Sequence, residues 1–391
     1  MTAPELLVPF AKPEIVPEAQ QAALRVLQSG WITMGPETIE FERDLAGYLG
    51  ARQVVAVASA TAAIEIALRA LHLRPGATVL TPSLTFCGAV AAIGSAGLRP
   101  ALVDVDAQTL VPTAATVADA VRRVGHPDAM IVQHMAGYPV DVAELAAAAG
   151  LPASRIVEDA AHGLGAELRG VPVGRASNAA CFSFYATKNL PIGEGGAIAT
   201  DSDELADAAR TMRLHGMTHD AWRRYLPGGS WRYDVPEPGL KANITDVQAA
   251  IGRAQLACLP DWQQRREYLA ECYDAALAGL AGLALPQRPP HGRHAWHLYQ
   301  VRLTPECGVS RELAIETLAS QGIGTSVHFI PVHQLSGYQR ILGTEECRSV
   351  PVTEQVAEEV LSLPMYPGLT ESDIARVADA LLILAARTAA A

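Results

Sequence analysis

The chain has 391 residues, 50% of them hydrophobic and 18% charged. Its length exceeds one ordinary core and predicts two domains, and its composition excludes a disordered chain. Basic residues number 30 against 41 acidic ones, a net charge of −11 that argues against nucleic acid or an anionic membrane as partner. Only three of the 30 bases are lysine (Lys12, Lys188 and Lys241); the other 27 are arginine. Those three positions are where a primary amine is in demand, since arginine cannot lose its proton.

The start, MTAPELLVPF, has neither the basic n-region nor the apolar h-region of a secretory signal. No run approaches a membrane span, because the Ala-rich stretches at 143–149 and 378–391 are short or broken by charge. The cysteines (87, 181, 258, 272, 307 and 347) are scattered with no C-x-x-C pair, which argues against zinc, an iron–sulfur cluster or a disulfide framework. These features predict a cytoplasmic protein with reduced thiols.

In chain order, β-rich runs alternate with helical patterns. VVAVAS (54–59) precedes TAAIEIALRAL (61–71), TVLTPS (78–83) precedes CGAVAAIGSAG (87–97), and RPALVDVD (99–106) follows. Further on come AMIVQHM (129–135), RIVEDAA (155–161), AACFSFYA (179–186) and GGAIATD (195–201). The alternation predicts an α/β fold whose mostly parallel sheet is covered by helices. Ligands of such sheets gather beyond the carboxyl ends of the strands, so Ser59, Ser83, His134, Asp159 and Ser183 form a candidate set. A loop rich in Gly, Pro, Trp and Arg at 215–246 breaks the pattern, and a helix starts at Thr245. After a helix at 261–280, HAWHLYQVRL (294–303), a helix at 310–321 and GTSVHFI (324–330) suggest a smaller α+β domain. The last helix opens on a capping-box-like Thr370-Glu-Ser-Asp373. The expected division is a large domain over 1–250 and a small one over 251–391.

Three segments carry chemistry. In SFYATKNLPIGEGG (183–196), Lys188 leaves a strand and enters a turn with Gly193, Gly195 and Gly196. A lysine there can form a Schiff base with an aldehyde; a solvated surface lysine is the plain alternative. In RIVEDAAHG (155–163), Asp159 ends a strand and suits the protonated ring nitrogen of pyridoxal phosphate, though by itself an N-cap or turn Asp is the more ordinary reading. His162 stands three residues on, readable also as a core histidine. In VVAVASATAAIEIAL (54–68), Ser59-Ala60-Thr61 opens a helix whose free N–H groups would cradle a phosphate, or are simply capped. Phe86, in TPSLTF (81–86), follows a strand end and would stack on a flat ring, unless it is core.

Taken together, these segments resemble the DegT/DnrJ/EryC1/StrS sugar aminotransferases, which are fold-type-I pyridoxal-phosphate enzymes. The resemblance is nearest to the UDP-4-amino-4-deoxy-L-arabinose–oxoglutarate aminotransferase (ArnB-type) branch. It runs from SGWITMGPETIEFE (29–42) through QHMAGYPVD (133–141), GLKANITDVQAAIG (239–252), HAWHLY (294–299) and GIGTSVHF (322–329) to LPMYPGLT (363–370). It implies that Lys188 is the lysine joined to the cofactor and Asp159 its ring-nitrogen partner. By the same resemblance His162 lies near the ring's phenolic oxygen and Phe86 over its face. Ala60, Thr61 and Ser183 would hold the phosphate.

The resemblance also implies a homodimer with shared active sites, into which the 239–243 loop reaches from the second subunit. Either Lys241 or Asn243 would then meet the cofactor phosphate. His328 and His333 match positions near the sugar pocket, or are structural. The implied reaction passes an amino group from L-glutamate, released as 2-oxoglutarate, to a nucleotide-diphosphate-linked ketosugar, at C4 rather than C3. Lys188 would move the proton as general acid/base. A 3-dehydratase relative would carry histidine in place of Lys188. A regulatory relative would have lost the lysine or the acid, and a nicotinamide dehydrogenase would need G-x-G-x-x-G where S-A-T stands. Finally, Arg210, Arg213, Arg223, Arg224, Arg232 and Lys241 oppose Asp220, Asp234 and Glu237. Six minus three leaves a local +3, a candidate diphosphate clamp in an acidic chain.

Overall fold

The computed structural model describes residues 7–218 and 233–389, the last three as helical backbone only. A seven-stranded sheet forms the larger layer: β1 (Gln53–Val57), β2 (Thr78–Pro82), β3 (Arg99–Val103), β4 (Ala129–Gln133), β5 (Ile156–Asp159), β6 (Ala179–Ser183) and β7 (Gly196–Thr200). Its order is β1-β7-β6-β5-β4-β2-β3. Strands β6, β5, β4, β2 and β3 run parallel, whereas β7 lies antiparallel to both neighbours. The interior strands are buried on both faces, as continuous apolar runs such as AMIVQ require.

The helices include α1 (Pro17–Ser29), α2 (Pro36–Leu49), α3 (Ala60–Ala70), α4 (Cys87–Ser95), α5 (Ala114–Val124), α6 (Val142–Ala149), α7 (Asp203–Met212), α8 (Asp246–Leu256), α9 (Leu259–Leu277) and α10 (Arg311–Ser320). Thr245 starts α8 through a reciprocal capping box with Gln248. The carboxylate of Asp246 then accepts from the backbone N–H groups of Gly35, Glu37 and Thr38, fastening α8 to the start of α2.

A second core is built from α9, α10, the C-terminal helix Glu371–Ala389 and a three-stranded sheet of Leu283–Ala284, Tyr299–Leu303 and Val360–Leu363. The capping box expected at Thr370 is formed: its amide and hydroxyl donate to Asp373 at 3.0 and 2.7 Å, and Asp373 N–H returns a bond. Val8, near the other end of the chain, belongs to this core and bridges Ile323. GTSVHFI behaves differently from its strand-like pattern. Only Ser326 pairs there, with Ser362, and His328 and Phe329 are spent on the cavity described below.

Candidate active site

A cavity of about 500 Å³ opens at the carboxyl ends of β4, β5 and β6. Gln133 and Asp159 are register partners at the ends of β4 and β5, and both line it with Ser183 from the end of β6. Two expected strand-end residues turn away. Ser83 bonds His333 at 2.6 Å, and His134 bonds Glu158 at 2.8 Å behind the sheet.

Lys188 sits on the connection between β6 and β7. Its N–H donates to Tyr185 O, while Phe184 N–H reaches Gly195 O and Ile192 N–H returns to Phe184 O. Gly193 supplies the left-handed step (φ +94°) that lets this hairpin close. Lys188 is half-buried because it looks into the cavity, but protein surrounds its amine on the other sides. Burial pulls its pKa down to about 8, with Asp159 opposing.

Asp159 is buried, and its Oδ1 accepts from Ala161 N–H at 3.1 Å. Burial raises its pKa, against the pull of that N–H, Lys188 and His134. Its neighbour Glu158 points the other way, as strand alternation demands. Burial pushes Glu158 up as well, but bonds from His134, Ser177 and Gly174 outweigh it and hold the carboxylate low.

His162 is buried against the cavity, and its Nδ1 accepts from Ala136 N–H at 3.2 Å. The proton of the neutral ring is therefore on Nε2, making it a hydrogen-bond donor. Burial and then Lys188 keep its pKa well below the usual value. Ser59, Ala60 and Thr61 also line the cavity. Ser59 Oγ caps α3 by accepting from Ala62 N–H, so the phosphate-binding capacity rests on the amides ahead of it. A Cβ on Gly196 would stand 2.5 Å from Ser59 C and 2.7 Å from Ala60 N. Only glycine lets β7 approach this turn. Phe86 is 57% exposed at the cavity and so is not core.

Of the expected substrate residues, His328 lines the cavity, stacked on Phe10 and bonded to Ser362 at 2.9 Å. Burial holds its pKa near 4. His333 does not line it: it is buried between Ser83 and Glu354. Lys241 is exposed, bonds Asn243, and neither side chain reaches the cavity of its own chain. Arg223, Arg224, Arg232 and Asp220 lie outside the described residues. The clamp expected at 210–241 loses two members. Arg213 is buried in an ion pair with Glu42 and donates to Ala56 O, and Arg210 bonds Asp207 and Gln53.

Several lining residues were not singled out in the sequence: Phe10, Gln133, Tyr185, Glu194, His297 and Phe329. The pair HAWHLY held one signal. His294 stacks on Trp296 at 4.0 Å and accepts its backbone N–H, whereas His297 faces Lys188 at 3.4 Å.

The residues present fit pyridoxal phosphate. A buried carboxylate that accepts from the Ala161 N–H suits a cationic ring nitrogen, a lysine of lowered pKa suits an aldehyde, and the Gly196-backed helix start suits a phosphate. This fold and site define a fold-type-I pyridoxal-phosphate-dependent aminotransferase. Residues 13–382 match the DegT/DnrJ/EryC1/StrS aminotransferase family model, and the chain belongs to that family. It is 40% identical over 375 residues to the spore coat polysaccharide biosynthesis protein SpsC of Bacillus subtilis, covering 95% of this chain and 96% of that one. It superposes on DesV of S. venezuelae with a TM-score of 0.86 at 34% identity, over 98% of this chain and 99% of that one. Spr1654 of Streptococcus pneumoniae, in its PMP form, gives a TM-score of 0.88 at 30% identity, over 97% of this chain and 100% of that one. The protein is a pyridoxal-phosphate-dependent sugar aminotransferase.

Proposed function

We propose that the enzyme transfers the amino group of L-glutamate to the C4 keto carbon of a nucleotide-diphosphate-linked sugar, leaving 2-oxoglutarate. The observation that carries this reading is Lys188 and Asp159 facing one cavity, with neutral histidines beside the lysine. Pyridoxal phosphate supplies the electron sink and carries the amino group between the two substrates. Asp159 holds the ring nitrogen's proton, and Ala60, Thr61 and Ser183 orient the phosphate. Phe86 covers one ring face. Lys188 Nζ, with a pKa near 8, takes a proton from a donor carbon and returns it at the acceptor carbon near neutral pH. His162, through Nε2–H, donates to the ring's phenolic oxygen.

His328 contacts the sugar from the cavity wall. The preference for C4 and for a nucleotide-linked sugar rests on the resemblance to the ArnB-type branch. A homodimer completes the reading: Lys241 and Asn243, outside their own cavity, reach the second copy's site. The chain's cytoplasmic placement is part of the same reading; no helix among the described residues is long and apolar enough to cross a membrane.

The test is a panel of UDP-, TDP- and GDP-linked 4-keto and 3-keto sugars with L-glutamate, following 2-oxoglutarate and identifying products by NMR. A C4 amine is expected. A C3 amine would correct the position, and turnover of small keto acids with no sugar accepted would overturn the substrate class.

A further inference from the structure

The chemistry above leaves His297 without a task, although its Nε2 lies 3.4 Å from Lys188 Nζ. We propose that Asn189 locks His297 in the Nδ1–H tautomer, and that the bare Nε2 accepts a hydrogen bond from Lys188 and aims the amine into the cavity. His297 is then a positioning residue for the transfer, and the inference rests on Lys188 being the reacting lysine.

Asn189 directly follows that lysine. The amide nitrogen of Asn189 donates to Ala295 O at 2.9 Å and to Leu164 O at 3.3 Å. A flipped amide would set its oxygen against two carbonyl oxygens, so the orientation is determined. Oδ1 therefore faces His297 Nδ1, at 3.2 Å. A carbonyl oxygen only accepts, so Nδ1 must carry the ring's proton. A neutral imidazole has one such proton, and Nε2 is left as a lone pair pointing at Lys188.

The ring stays neutral. Burial comes first among the causes, followed by Lys188, His162, Arg266 and His328, all of which disfavour a positive charge there. Lys188 itself faces Asp159, His162, His297 and His328 around the cavity. As an ammonium, Nζ gives one hydrogen to Nε2. As a neutral amine it gives one N–H to the same atom and keeps its own lone pair for the cavity. No proton passes to His297 in either state. His162, whose ring centre is 4.4 Å from that of His297, is fixed as the opposite tautomer by Ala136 N–H. One imidazole donates to the cavity and its neighbour accepts from the lysine.

The scarcity of lysine makes the proposal measurable. Enzyme held in its pyridoxamine form leaves Lys188 free, and competitive labelling with acetic anhydride, read by peptide mass spectrometry, gives its titration midpoint apart from Lys12 and Lys241. Removing an acceptor that favours the ammonium should lower that midpoint by about one pH unit in His297→Leu. The same variant should lose at least about tenfold in kcat with KM for the donor within about twofold. His297→Gln restores an acceptor and should recover at least half of both effects. An unmoved midpoint in His297→Leu, or a Gln variant as impaired as the Leu variant, overturns the proposal. Histidine-labelled wild-type enzyme provides a check that needs no variant: NMR should find the proton of His297 on Nδ1, and a proton on Nε2 overturns the assignment. Full transamination by Lys188→Ala would instead refute the role of Lys188, a separate outcome.

Discussion

Glu158 and Asp159 are consecutive residues of one strand whose carboxylates face opposite sides of the sheet. Asp159 enters the cavity, while Glu158 binds His134 at 2.8 Å behind it. Adjacent substitutions should therefore have separable effects. Asp159→Asn should lower kcat by at least about 100-fold at little cost in stability, since it removes a charge aimed at the ring nitrogen. Glu158→Gln should cost about 3 kcal/mol in denaturant unfolding by breaking a buried pair, with KM unchanged in the folded fraction. The pKa of Glu158 is lowered from 4.5 in the folded state. Its contribution is therefore present above pH 4.5 and is lost as pH falls through the lower folded value. The difference between wild type and Glu158→Gln should narrow in acid.

Lys188→Met should abolish transamination and the yellow imine colour. Its effect on stability has the opposite sign. The folded pKa near 8 lies below the ordinary 10.5, so the unfolded chain binds more protons between these values. In cofactor-free protein the variant should be more stable by about 2 kcal/mol at pH 7, after discounting for water in the cavity. That gain should shrink as pH rises from 8 to 10.5. Equal stability of the two proteins at pH 7 would count against a buried, destabilised amine.

Gly196→Ala places a Cβ 2.5 Å from Ser59 C, against backbone that cannot step aside. Overpacking of this kind costs about 1–3 kcal/mol. Because the displaced turn is the helix start that would hold the phosphate, cofactor affinity should fall at least about tenfold, measured by fluorescence titration of apoenzyme. A stable variant with unchanged affinity would move the phosphate site elsewhere.

Arg213→Met tests the one buried arginine of the expected clamp. Its side chain is 4% exposed and paired with Glu42, so the variant should lose about 3 kcal/mol through the unpaired Glu42. KM for the sugar substrate should not change. His328→Ala and His333→Ala make a parallel contrast. KM for the sugar should rise in the first, which lines the cavity, and stay within about twofold in the second.

Most of the sheet was legible, because continuous apolar runs such as AMIVQ and strand-to-helix turns such as Ser59-Ala60-Thr61 are local patterns. Lys188 and Asp159 were legible for the same reason: each lies beside the end of a strand. His297 was not, since HAWHLY carries two histidines and only the fold sends one to Trp296 and the other to the lysine. Phe10 and Phe329 belong to segments without a strong period, brought to the cavity from near opposite ends of the chain. The charge sum at 210–241 included Arg210 and Arg213 for a related reason. A count of arginines cannot tell a solvated face from a buried partner, and Arg213 had Glu42 waiting for it.

The pairing of Val8 with Ile323 carries a consequence for how the protein is made. The segment around Val8 docks into a core built from residues 269–384, so it must wait until those residues have been synthesised. The central sheet can assemble during translation, but the cavity wall where Phe10 stacks on His328 forms only later. A bulky fusion at the amino terminus should thus delay maturation of the active site more than the same fusion at the carboxyl terminus.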